Sequence, residues 1–176
     1  MDAAIVLGLF EWASVHPPVA RVVSLIAEYG IVLLVVALIA LWFLRASGVS
    51  FRRTVLFAVV PSFVVVVLLA VGFSLFLFRP RPFEVLGFQP LFAHYADSSF
   101  PSDHMLFGTA LIGPAVWSRP KLGVWLLAWL LVIGLCRVAA GVHYASDILG
   151  SILVGAIPTA MSVQLVALLE RASPRR

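Results

Sequence analysis

Three short clusters carry most of the polar chemistry of this chain: Arg79-Pro-Arg81-Pro, Pro101-Ser102-Asp103-His104, and Arg137 followed by His143 and Asp147. They supply guanidinium groups, two imidazoles, a hydroxyl and a carboxylate that can orient one imidazole. That inventory suits holding a phosphate and attacking its phosphorus, because guanidinium forks match phosphate oxygens in pairs. His143 and Asp147 are four apart, so on a helix they share a face and the carboxylate can reach one ring nitrogen. A carboxylate there fixes the tautomer and leaves the other nitrogen free to attack. The same spacing also fits an aspartate that caps a helix beside an interfacial histidine. Ser102 suits the N-cap of the apolar helix that follows, and Asp103 suits its positive end. Backbone N–H groups at such a terminus also bind phosphate. Capping alone accounts for Ser102 and Asp103 but leaves His104 unexplained, since a histidine inside a membrane protein normally has a partner or a job. Arg79, Arg81 and Arg137 offer phosphate donors, although arginines at a membrane boundary also contact lipid headgroups.

The elements that must position these residues are read from the apolar runs. The chain has 176 residues, of which 62% are hydrophobic and 11% charged, with a mean hydropathy of +1.11. A soluble domain of this length needs more polar surface, so the excess must face lipid. The expected fold is an all-α integral membrane protein: a bundle of about five transmembrane helices plus a short N-terminal interfacial helix, forming a single membrane-embedded domain over residues 1–176. A span needs about 20 mostly apolar residues. Candidates run from Val19 to Leu44, Thr54 to Phe78, Ser102 to Trp117, Leu122 to Val138 and Asp147 to Leu169. The N-terminus has no basic leader of the secretory kind. Its apolar stretch, Ala3 to Phe10, is too short to cross, and Ile5, Leu9 and Trp12 fall on one helical face, as a helix lying in the interface requires; a start without structure is the alternative. Pro61, Gly113-Pro114 and Pro158 are expected to bend their helices. Small faces around Gly150 and Gly155 permit close helix packing. Between the second and third spans runs a polar loop, Arg79 to Phe100, whose aromatics Phe83, Phe88, Phe92 and Tyr95 suit the headgroup zone.

Charge gives the orientation and excludes one class of partner. One side carries Arg45, Arg52, Arg53, Arg119, Lys121, Arg171, Arg175 and Arg176, eight basic residues against four on the other. The eight-residue side should be cytoplasmic. The opposite side holds seven of the eight acids and all three clusters, so the chemistry faces outward. A net charge of +4 with a pI near 10.0 suggests nucleic acid at first sight, but no basic stretch with interleaved aromatics occurs, so no nucleic-acid partner is expected. The single Cys136 allows no intramolecular disulfide. Glu28 lies within the first span, where a lone carboxylate is costly, and is expected to pair with and orient Arg79 or Arg81; the alternative is an interface residue on a segment that starts near Gly30.

The order Arg81-Pro82, Pro101-Ser-Asp-His104, Arg137-x5-His143-x3-Asp147 resembles the three-part signature of the type 2 phosphatidic acid phosphatase superfamily: Lys-x6-Arg-Pro, Pro-Ser-Gly-His and Ser-Arg-x5-His-x3-Asp. The likeness covers residues 74 to 147. Three positions depart from it. Ser74 stands for the motif lysine, Asp103 for the glycine and Cys136 for the serine. Asp103, the Arg-Pro-Arg-Pro-Phe83 run and the segment from Glu28 to Val32 are similar to the bacitracin-resistance branch, the undecaprenyl pyrophosphate phosphatases. The resemblance implies that His143 is the nucleophile, that Asp147 orients it and that His104 serves as acid and then base. It implies that Arg81, Arg137, Ser102 and the backbone N–H of Asp103 hold the phosphoryl oxygens. Arg79 would assist, on the second phosphate of a pyrophosphate. The implied reaction is metal-independent and cofactor-free removal of the terminal phosphate of a polyprenyl pyrophosphate, at the outer face of a bacterial cytoplasmic membrane, through a phosphohistidine. Phosphatidate, phosphatidylglycerophosphate or an isoprenoid-linked sugar phosphate are alternative substrates, and a non-catalytic lipid-phosphate transporter is the alternative of a different class.

Overall fold

Apolar runs long enough to cross a bilayer dictate most of the architecture. The computed structural model describes residues 1–43 and 48–172. Arg45, Arg175 and Arg176 of the sidedness count therefore lie outside the described residues, as do the side chains of Arg52 and Arg53. Seven helices occur among the described residues: α1 (Asp2–Ser14), α2 (Pro17–Phe43), α3 (Gly48–Phe76), α4 (Pro82–Leu86), α5 (Asp103–Ser118), α6 (Pro120–Ala139) and α7 (Ala145–Ala172). Helices α2, α3, α6 and α7 are long and apolar enough to cross a membrane. Their outward faces carry Leu33 and Ile39, Val64 and Leu68, Trp125 and Leu131, Leu153 and Leu165, all exposed. In water that surface would be untenable; in lipid it has a solvent. The chain is a multi-pass helical membrane protein.

The fifth expected span is α5, and it is built differently. At 16 residues it is shorter than a span, and α3, α6 and α7 pack around it. Met105, Leu106, Ala110 and Ile112 are buried at 0–2% exposure, so its apolar residues serve its neighbours as core. Helix α7 approaches α5 at Gly155, where an added Cβ would stand 3.0 Å from the Leu106 carbonyl oxygen, and Gly150 faces the Phe100 ring. Both small faces are used inside the chain. Helices α3, α5 and α7 each run on through their prolines, Pro61, Pro114 and Pro158.

Helix α1 forms as expected, with Val6 and Ala13 turned toward the bundle and Ile5 and Trp12 on the open side, where an interfacial helix meets lipid. Val6 and Ala13 are fully buried, whereas Ile5 is 41% and Trp12 57% exposed. Packing on α2, α6 and α7 decides this, with Leu9 contacting both core clusters and Phe10 stacked on Phe88 at 4.1 Å. The long loop is not all coil. Pro82 opens α4, the Glu84 carboxylate accepts the Arg81 backbone N–H at 2.9 Å, and Gly87 closes the helix in the left-handed region. Of the loop aromatics expected at the headgroups, only Tyr95 is well exposed. Phe83 and Phe92 pack against the cluster of Ala13, Val23 and Val142, and Phe88 covers Phe10.

Candidate active site

The turn between α6 and α7 sets the nucleophile candidate. Gly141 takes φ +80°, and a Cβ there would stand 2.3 Å from the Phe88 ring, so only glycine fits. Two residues later His143 is buried to 1% exposure. Its Nδ1 lies 2.7 Å from the Ser99 carbonyl, which can only accept, so Nδ1 carries the proton. Nε2 is then the lone-pair nitrogen. Arg137 donates to it from Nη2 at 3.2 Å and Arg81 from Nη1 at 3.3 Å. Burial, then the Arg137 and Arg81 charges, push the His143 pKa well below the ordinary histidine value, so the ring is neutral. A neutral ring with its lone pair aimed between two guanidinium groups is arranged to meet an anion.

Asp147 reaches this histidine indirectly, which corrects the shared-face expectation. His143 precedes α7, while Asp147 lies in its first turn and is fully buried. Their closest approach, Nδ1 to Oδ2, is 3.9 Å, beyond hydrogen-bond length. Instead Asp147 Oδ2 accepts from Ser99 Oγ at 2.5 Å and from the Tyr144 backbone at 2.9 Å, and Oδ1 accepts from Arg79. Asp147 thus fixes Ser99, and the Ser99 carbonyl fixes the ring.

His104 stands on the other side of Arg137. Its Nε2 lies 3.5 Å from Arg137 Nη1 and 3.4 Å from the Glu28 carbonyl. The carbonyl only accepts and the guanidinium only donates, so each favours a different protonation of that nitrogen. One guanidinium therefore touches both catalytic histidine candidates. Ser102 is the N-cap of α5, but its hydroxyl makes no cap bond: among the described residues Ser102 Oγ and Arg137 Nε are buried without a hydrogen-bond partner, while the Ser102 N–H donates to Ser151 Oγ at 2.7 Å. These two atoms, one on the guanidinium between the histidines and one two residues before His104, fit a site that completes its bonds with a ligand. Asp103 follows as the exposed first residue of α5.

The arginines divide by task. Arg81 is held by Asp97 at 2.7 Å and by the Val142 carbonyl at 2.8 Å, and Arg137 by the Ala27 carbonyl at 2.9 Å. Arg79 does not join them. It bonds Asp147, Ser146 at 2.7 Å and Asp2 at 2.8 Å, and lies 4.2 Å over the Tyr144 ring. Its donors serve carboxylates, so the expected contact to a second phosphate is not what this geometry provides. Nor does Glu28 pair with Arg79 or Arg81, whose acids are Asp2, Asp147 and Asp97; Glu28 is exposed and contributes its backbone carbonyl. Ser74, at the motif lysine position, returns its hydroxyl to the Ala70 carbonyl at 2.8 Å.

Five residues at the site escaped the sequence reading: Asp2, His94, Asp97, Ser99 and Ser146. His94 donates from Nδ1 to the Tyr95 carbonyl at 3.1 Å and accepts from Arg137 Nη2 at 3.0 Å, its ring edge-on to His143. His94, Asp97 and Ser99 lie in the Arg79–Phe100 loop, which the sequence marked by its polarity and aromatics and not by any motif that singled out these three. Among the described residues no group of three or more His, Cys, Asp or Glu side chains is placed to hold a metal ion.

Fold and site together define a multi-pass helical membrane protein with a buried, guanidinium-flanked histidine in the turn before its last helix. The description "PAP2 superfamily" matches residues 53–171, and the chain belongs to that family. It is 34% identical over 132 residues to the undecaprenyl-diphosphatase BcrC of Bacillus subtilis, covering 75% of this chain and 67% of that one. Its fold is similar to that of the Aquifex aeolicus LpxE crystal structure, with a TM-score of 0.65 at 23% identity over 90% of this chain and 94% of the other. It is likewise similar to a transmembrane PAP2 type phosphatidylglycerolphosphate phosphatase from Bacillus subtilis, with a TM-score of 0.67 at 22% identity over 99% and 86%.

Proposed function

We propose that this protein hydrolyses the terminal phosphate of a polyprenyl diphosphate, undecaprenyl diphosphate, through a phosphohistidine on His143, and so recycles a cell-wall lipid carrier. The observation that carries the reading is the neutral His143 ring, its Nε2 lone pair set between Arg81 and Arg137 at 3.3 and 3.2 Å. In the proposed step Nε2 forms a bond to the terminal phosphorus as the bridging P–O bond breaks, and the bond electrons leave with the lipid phosphate. His104 delivers a proton to that oxygen, then takes one from the water that cleaves the N–P bond, releasing inorganic phosphate. Its placement between a carbonyl and a guanidinium suits both states. Arg81 and Arg137 balance the charge on the phosphoryl oxygens, and Ser102 Oγ and the Asp103 N–H complete the cradle. No metal is assigned to the reaction.

The choice of lipid rests on the 34% identity to an undecaprenyl-diphosphatase. The excess of Lys and Arg on the opposite side supports an active site on the outer face of a bacterial cytoplasmic membrane. We take residues 1–176 as one membrane-embedded catalytic domain, because α1 and the start of α7 meet at the site. Purified protein in detergent with EDTA should release phosphate from undecaprenyl diphosphate faster than from phosphatidate or phosphatidylglycerophosphate. Equal or reversed preference sinks the lipid assignment, and binding without turnover would make the protein a carrier.

A further inference from the structure

We propose that Asp2, on the N-terminal helix, is a positioning residue for the nucleophile, acting through Arg79, Asp147 and Ser99. Every link is a hydrogen bond. Asp2 Oδ2 accepts from Arg79 Nη2 at 2.8 Å and from Ser146 Oγ, while Oδ1 accepts the Ser146 backbone N–H at 3.2 Å. Arg79 Nη1 donates to Asp147 Oδ1. Asp147 Oδ2 takes the Ser99 hydroxyl at 2.5 Å, and the Ser99 carbonyl takes the His143 Nδ1 proton at 2.7 Å. The chain of contacts begins at residue 2, outside the matched stretch of residues 53–171, and ends on the ring that is proposed to attack.

Charge explains why the first link matters. His143 becomes cationic as Nε2 binds phosphorus, and a negative charge behind it favours that change. Asp147 by itself cannot supply one, because Arg79 cancels it. Asp2 adds a second carboxylate to the same guanidinium, leaving the Asp2–Arg79–Asp147 group with one net negative charge. Burial works against ionising Asp2, yet bonds from Ser146 and Arg79 outweigh it and hold its carboxyl below the usual range, so the charge is present at neutral pH. Arg79 is meanwhile anchored over Tyr144, which fixes where that charge sits. The pair also ties α1 to the N-terminus of α7, where a carboxylate accepting a first-turn N–H stabilises the helix.

The inference rests on the proposed phosphatase reading, and its test keeps the two apart. Asp2→Asn should lower kcat on undecaprenyl diphosphate about tenfold with KM unchanged, because Asp2 touches no substrate. Asp2→Glu, which keeps the charge, should recover most of the rate. Val6→Ala loosens the packing of α1 elsewhere; it should lower the melting temperature without lowering kcat. In spectra of ring-¹⁵N-labelled histidine, Asp2→Asn should move the His143 Nδ1–H resonance, assigned by its loss in His143→Gln. Wild-type kcat in Asp2→Asn, or equal losses in Asp2→Asn and Val6→Ala at equal destabilisation, overturns the inference. A wild-type protein that turns over no lipid phosphate would instead overturn the phosphatase reading, and the resonance would still decide the link: unmoved, it overturns the inference.

Discussion

At the α6–α7 turn His143 is 1% exposed, with both ring nitrogens engaged at 2.7 to 3.3 Å, whereas at the start of α5 His104 is partly exposed and its nearest partners stand at 3.4 and 3.5 Å. One imidazole is locked in a single tautomer by a carbonyl that a serine and an aspartate hold in place. The other sits loosely between an acceptor and a donor. The difference matches the proposed division of labour: a nucleophile gains from a fixed lone pair, while a proton carrier must serve a leaving group first and a water second.

The largest test of that contrast removes each ring. His143→Ala should abolish turnover, by roughly 10⁴-fold or more, measured as phosphate release at saturating substrate. His104→Ala should cost about 10²-fold, and the smaller loss should shrink further with a substrate whose leaving group needs no proton. Equal losses would erase the distinction between the two sites. Next comes the locking itself. Gly141→Ala forces a strained φ against the Phe88 ring, so it should destabilise the turn by about 2 kcal/mol and lower both the melting temperature and kcat. Its counterpart on the looser side, Glu28→Gln, leaves the backbone carbonyl beside His104 untouched and should change kcat less than about twofold.

Acid sharpens the same comparison. The folded protein keeps His143 neutral, with its pKa well below the ordinary value, while the unfolded chain takes up a proton there at about pH 6.5. The unfolded state therefore binds more protons, so this contribution to stability is complete above about pH 6.5 and is lost as pH falls toward the folded value. Melting temperatures taken from pH 7.5 down to 5 should fall more steeply for the wild type than for His143→Gln. Parallel curves would mean that the ring is not held neutral.

Helix positions were legible because long apolar runs leave few alternatives: the candidate spans Val19–Leu44 and Leu122–Val138 became Pro17–Phe43 and Pro120–Ala139. Legible too were Arg81, Arg137, His104 and His143, which converge on one guanidinium-lined spot. What sequence spacing could not reveal was partner choice. An i, i+4 rule presumes a continuous helix, yet His143 precedes the helix that carries Asp147, so a backbone carbonyl from Ser99 took the ring proton. Arg79 looked like a phosphate ligand because its acids lie 77 and 68 residues away along the chain. The open face of α1, with Ile5 and Trp12 exposed, agrees with the interfacial expectation, while its inner face was not legible. Spacing alone did not say that Val6 and Ala13 would pack toward α2, α6 and α7.

The separation of 144 residues between Asp2 and Ser146 has a bearing on biosynthesis. Chains emerge from the ribosome N-terminus first, and contacts between remote segments form late. An α1 already docked at the bilayer surface would wait through the synthesis of every intervening segment before its carboxylate met the final helix. On the proposed role of Asp2, a nascent or truncated polypeptide that stops before Ala145 can therefore embed in the membrane yet lack the contacts that position the proposed nucleophile, so hydrolytic competence would arise in one late event as the last span settles.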